Sequence, residues 1–71
     1  MKPGHKFTVI DEGITFEFEV AEEGGYVVSV PIAPGCWSEG DTFEDALDMI
    51  KDALAGWLEV ASKLLGNKLE Q

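Results

Sequence analysis

Apolar and polar residues alternate with a period of two over the first third of the chain and recur every three to four residues over the last third. In "ITFEFEVAE", residues 14–22, Ile14, Phe16, Phe18 and Val20 point one way and Thr15, Glu17 and Glu19 the other. A strict period of two predicts a strand with one buried and one wet face. "KFTVID", 6–11, is short and rich in aromatic and β-branched residues, and predicts a strand before it. Asp11-Glu12-Gly13 and Glu23-Gly24-Gly25 predict the turns. "YVVSVPI", 26–32, sets Tyr26, Val28, Val30 and Ile32 on one face and Val27 and Pro31 on the other. A strand apolar on both faces is expected inside a sheet, with Pro31 near its end, where pairing lapses. "CWSE", 36–39, is a candidate last strand, and "MKPGH" reads as a loose start.

From Thr42 the period changes. Thr42 is a good N-cap, and Asp45 three residues on resembles a capping box. Glu44, Asp45 and Asp48 suit the positive end of the helix dipole. Gly66-Asn67 reads as a stop, and "NKLEQ" as a frayed end. A helix over 43–65 would be about 35 Å long. Phe43, Leu47, Ile50, Leu54, Trp57, Leu58, Ala61 and Leu65 form its apolar stripe, which Met49, Ala53, Val60 and Leu64 widen to about half the cylinder. That is more than one face of a small sheet covers, so the excess flank points to another chain. Gly56 interrupts the helix and marks either a bend or the close approach of a neighbouring backbone. The fold class is therefore α+β: an antiparallel three- to four-stranded sheet with one long helix packed on one face. Residues 1–71 form a single domain.

Composition narrows the function. Fourteen acids against five lysines and no arginine give a net charge of −9. Such a chain repels phosphate, so direct nucleic-acid binding is not expected. Acidity favours encounter with basic partners and also keeps a protein soluble. One cysteine, Cys36, excludes an internal disulfide, and one cysteine with one histidine, His5, does not make a zinc site. A lone thiol and the lack of a signal-peptide pattern suit the cytoplasm. No apolar run nears the ~20 residues that span a membrane. Small chains commonly gain stability by oligomerising, and a homo-oligomer, dimer or higher, is expected here.

Catalysis lacks its parts. A nucleophilic Cys36 would need a positioned base, and His5, in the N-terminal turn, is the one candidate. A buried structural thiol is the simpler reading. Glu17 and Glu19 project together from one strand, while Asp41, Glu44, Asp45, Asp48 and Asp52 line the polar arc of the helix. Nothing in their spacing makes the two groups converge on a metal. No phosphate-binding glycine motif occurs. The expectation is a chain that is not an enzyme and holds no cofactor or metal. Trp57 reads as core, while Trp37 reads equally as packing or interface. The candidate partner or oligomer surface is Tyr26, Val28, Pro34, Trp37, Met49 and Val60.

The run "GGYVVSVPIAPGCWSEGDTFEDALDMIKDALAGWLE", Gly24 to Glu59, resembles the HicB antitoxin family. It has a glycine turn, an aromatic-led strand, Pro-x-x-Pro-Gly-Cys, a polar Gly-x-Thr junction, and a helix opening Glu-Asp-Ala. The resemblance implies a truncated ribonuclease-H-like α+β fold and a domain that neutralises HicA, a small basic RNA-cleaving toxin. Many relatives carry a second, DNA-binding domain after the helix and often a strand there as well. This chain reaches Gln71 without residues for either, so a separate DNA-binding domain is not expected in it, and strand 6–11 is expected at the sheet edge instead. The ribonuclease-H-like label carries no expectation of nuclease activity. Within the quoted run, Pro31 and Pro34 pre-set φ, Gly35 allows a sharp reversal, and Thr42 caps the helix, so the junction reads as a device that orients helix on sheet. The leading expectation is a HicB-like antitoxin-type binding domain. The alternative is a stand-alone homo-oligomeric scaffold without a toxin partner.

Overall fold

Each strand pairs antiparallel with its neighbour in sequence, so the chain meanders across one sheet before the helix returns over it. The structure, a computed structural model, describes residues 4–69. Strands β1 (Lys6–Asp11), β2 (Ile14–Val20), β3 (Tyr26–Ser29) and β4 (Trp37–Gly40) lie in the order β1-β2-β3-β4, followed by helix α1 (Phe43–Leu69). Register follows the apolar alternation. Phe7 pairs with Phe18, Val9 with Phe16, and Phe18 with Val28. Phe16, Phe18 and Val28 are almost wholly buried, while Thr8, Glu17 and Glu19 stay exposed. This is the α+β architecture expected, with one sheet face packed and the other wet.

The helix lies along β3 and β4. Its buried line is Ala46, Ile50 and Leu54, spaced at the i, i+4 interval that stacks side chains on one helix face. Ala46 sits against Gly40, where a Cβ added to the glycine would come within 2.5 Å of the Ala46 backbone nitrogen. Only glycine lets the helix approach the strand this closely. At the helix start, Phe43 joins an aromatic cluster. Its ring centroid is 4.8 Å from that of Phe18, which stacks on Phe7 at 5.2 Å. Tyr26 meets all three rings edge-on. Such pairs contribute roughly 0.5–1.5 kcal/mol each beyond their buried area. Thr42 Oγ1 accepts the Asp45 backbone N–H at 3.0 Å, so the expected cap is in place. Further along, the Lys51 ammonium pairs with Asp11 and Glu12 at the β1–β2 turn.

Several boundaries differ from expectation. β2 ends at Val20 and β3 at Ser29. Pro31 cannot donate to a ladder, and the chain turns at Val30. Ile32 therefore leaves the core face and is 70% exposed. The helix runs through Gly66-Asn67 to Leu69, since glycine and asparagine lower helix propensity without forbidding it. The start is tied down from residue 4: Gly4 donates to the Val20 carbonyl and Val20 to that of His5. Residues 1–3, 70 and 71 lie outside the described residues, as do the side chains of 65–69, among them Leu65 of the expected stripe. At 27 residues the helix is about 40 Å long, whereas the longest strand spans about 23 Å. It overshoots the sheet, and the molecule measures 51 Å by 18 Å by 18 Å.

Candidate partner-binding surfaces

The segment between β3 and β4 is two consecutive turns. Ala33 N–H donates to the Val30 carbonyl at 3.0 Å, and Cys36 N–H to the Ala33 carbonyl at 2.9 Å. Pro31 and Pro34 each occupy the second position of a turn, where their fixed φ fits. Gly35 follows Pro34 with φ of 85°, the geometry that a type II turn demands at its third position. Val30 N–H closes the segment on the Cys36 carbonyl at 3.2 Å. Val30, Ala33 and Cys36 turn inward and are buried, so the junction extends the core beyond the strands. Burial also pushes the Cys36 thiol above its usual pKa, which makes it a poor nucleophile.

Where the helix overshoots, an apolar groove of about 520 Å³ runs between this junction and the distal half of α1. Trp37 and Cys36 form one side. Ala53, Gly56, Trp57, Val60 and Leu64 form the other. None of the lining residues is charged. Trp37, Val60 and Leu64 are each at least 60% exposed, far more than a folded chain usually leaves on adjoining large apolar residues.

At the opposite end, a second hollow of about 570 Å³ has a different chemistry. Glu23 comes from the β2–β3 turn, Glu39 from β4, Asp41 from the helix approach, and Asp45 and Asp48 from α1. Tyr26 and Met49 supply its apolar surface. Sequence spacing alone did not bring these acids together. Their convergence follows from the meander, which returns the chain to the β2–β3 turn at the residue where the helix begins. Among the described residues, no three acid, histidine or cysteine side chains are placed to hold a metal ion. The concentrated negative charge instead offers a docking field for a cationic surface.

Of the six residues expected at an interface, Tyr26 and Met49 line the acidic hollow, and Trp37 and Val60 line the apolar groove. Pro34 is exposed on the junction beside that groove. Val28 is a correction: it has no exposed surface, because its face of β3 packs under the helix, and it belongs to the core. Glu17 and Glu19 stay on the outer sheet face, away from the helix acids. No helix, among the described residues, is long and apolar enough to cross a membrane.

The family model described as the HicB_like antitoxin of bacterial toxin-antitoxin system matches residues 14–69, most of the chain. Antitoxin HicB 1 of Photorhabdus laumondii is 44% identical over 50 residues, a segment that covers 70% of this chain and 32% of that protein. A UPF0150 protein of Thermoplasma acidophilum is 45% identical over 42 residues, 59% of this chain and 61% of its own. One from Archaeoglobus fulgidus is 38% identical over a segment with the same coverage. The matched segment thus spans about a third of the first relative and under two thirds of the others. No solved structure matches.

Proposed function

We propose that this chain, which belongs to the HicB-like antitoxin family, works as a non-enzymatic protein-binding domain that engages a small basic toxin of the HicA type and assembles as a homo-oligomer in the cytoplasm. One observation carries this reading: carboxylates from a turn, a strand and a helix surround a single hollow that also presents Tyr26 and Met49. A cationic partner would be drawn by the field and held by the apolar floor. Electrostatic steering of this kind raises association rates by about 10–10³-fold and fades with salt. Cys36 is buried, and the carboxylates that do converge line an open hollow, an arrangement that supports binding. Within these residues no second, DNA-binding unit is proposed.

A test is the association rate with a small basic toxin of the HicA type, followed by stopped-flow fluorescence of the tryptophans. The expected result is an on-rate that falls at least about tenfold between low and high salt, and falls again in Asp45→Asn/Asp48→Asn. Failure to form any complex would remove the antitoxin reading. The uncharged groove favours one second reading, a stand-alone homo-oligomeric scaffold, and a chain that self-associates yet binds no basic protein would establish it.

A further inference from the structure

We infer that the distal groove is a self-association face, in which α1 of one copy crosses α1 of a second copy antiparallel, about a two-fold axis at Gly56. This rests on the homo-oligomer reading and adds where and how the copies meet. Charge selects the occupant. Residues 53–64 carry only Glu59 and Lys63, which already pair with each other at 3.7 Å. In a chain of net charge −9, two copies repel almost everywhere else, and this neutral stretch is where they can touch. A basic partner would find no carboxylate in the groove to pair with, whereas the other hollow offers five.

Shape agrees with charge. A two-fold contact requires one surface to complement itself, with residue i meeting j and j meeting i. The groove presents a gap at Ala53 and Gly56 next to large side chains at Trp57, Val60 and Leu64. Crossing at Gly56 lays Trp57 and Val60 of each copy over the Ala53–Gly56 gap of the other. Gly56 has no explanation within its own chain: it is exposed, its φ is not positive, and a Cβ placed on it would meet nothing within 4 Å. Glycine weakens a helix interior, so close approach of a second backbone gives the residue a purpose. Trp37, at the start of β4, flanks the crossing and would close over the partner helix.

The experiment is sedimentation equilibrium of the full chain across micromolar concentrations, with far-UV circular dichroism as the folding control. A dimer of twice 7.7 kDa is expected. Gly56→Leu and Val60→Glu, both at exposed positions, should each raise the dissociation constant at least about tenfold with helix content unchanged. Gly56→Cys should oxidise to a cross-linked dimer, because a crossing there brings the two Cα atoms within the roughly 7 Å a disulfide can span, while Glu44→Cys should not. Buried Cys36 stays in place in both. A monomeric parent chain would overturn this inference and the homo-oligomer reading together. A dimer indifferent to Gly56→Leu and Val60→Glu, with Gly56→Cys not cross-linked, would keep that reading and overturn the groove. A groove variant that remains dimeric but no longer binds the basic protein would assign the groove to the toxin instead and overturn the inference.

Discussion

Replacing Gly40 by alanine should cost this fold about 3 kcal/mol, a large share of what holds a chain this small together. The added Cβ would lie 2.5 Å from the Ala46 nitrogen, 2.8 Å from the Asp45 carbonyl carbon and 2.9 Å from the Ala46 Cα. All three are backbone atoms, so no side chain can rotate away. Ordinary contact begins near 3.4 Å, and the first turn of α1 would have to withdraw by close to 1 Å. Overpacking of this kind costs about 1–3 kcal/mol, and withdrawal also loosens Ala46 and Ile50, both wholly buried against the sheet. At roughly 0.05–0.15 kcal/mol per residue, 71 residues hold only about 4–11 kcal/mol in all. A 3 kcal/mol loss should lower Tm by about 12–24 °C. Urea unfolding followed by circular dichroism reads it, at one protomer concentration because association shifts apparent stability. Gly56→Ala is the control: at dilutions where the chain is single, it should hold stability or raise it by up to about 1 kcal/mol. A Gly40→Ala chain within about 0.5 kcal/mol of its parent would show that helix and strand do not meet as described.

Three further outcomes are expected. Thr42→Ala removes the acceptor of the Asp45 N–H and should cost about 1 kcal/mol in the same urea assay, with Thr42→Ser close to parent. Cys36, buried and with its thiol pKa raised by desolvation, should react with a thiol reagent far more slowly in the folded chain than in denaturant, and equal rates would contradict its burial. Lys51 has its ammonium pKa raised, chiefly by its hydrogen bond to Asp11. A raised cationic pKa means the pair stabilises at neutral pH and is lost as pH climbs through the raised value. Lys51→Met should therefore lower stability slightly at neutral pH and low salt. That difference should shrink in high salt and vanish in strongly alkaline solution, as thermal melts would record.

The strands were legible because one face of each is wet. Phe16 and Phe18 against Glu17 and Glu19 leave a single solution to the register, and the helix start was legible in Thr42 and Asp45. What pattern reading missed is where small residues decide the geometry. Ala46 and Ala33 are almost wholly buried, yet neither carries enough hydrophobic weight to mark a core. The helix accordingly turns its Ala46–Ile50–Leu54 line to the sheet and leaves Leu58, placed on the sequence stripe, about half exposed. Pro31 ends the strand on which the alternation sets Ile32, so that side chain leaves the core face. The acidic hollow was invisible in spacing because Glu23, Glu39 and Asp48 meet only through the β-meander, a tertiary return that no local period encodes. The excess apolar flank, by contrast, could be read directly from Val60 and Leu64, since a stripe half the helix wide exceeds what four short strands cover.

The most direct test of the proposal that this chain acts through surfaces is binding of a basic HicA-type toxin to the parent chain and to Asp45→Asn/Asp48→Asn, measured at low and high salt. Tight binding at low salt, weakened at least about tenfold both by salt and by loss of the two carboxylates while folding is unchanged, is the expected result. Equal affinity in all four conditions, or no complex in any, would contradict it.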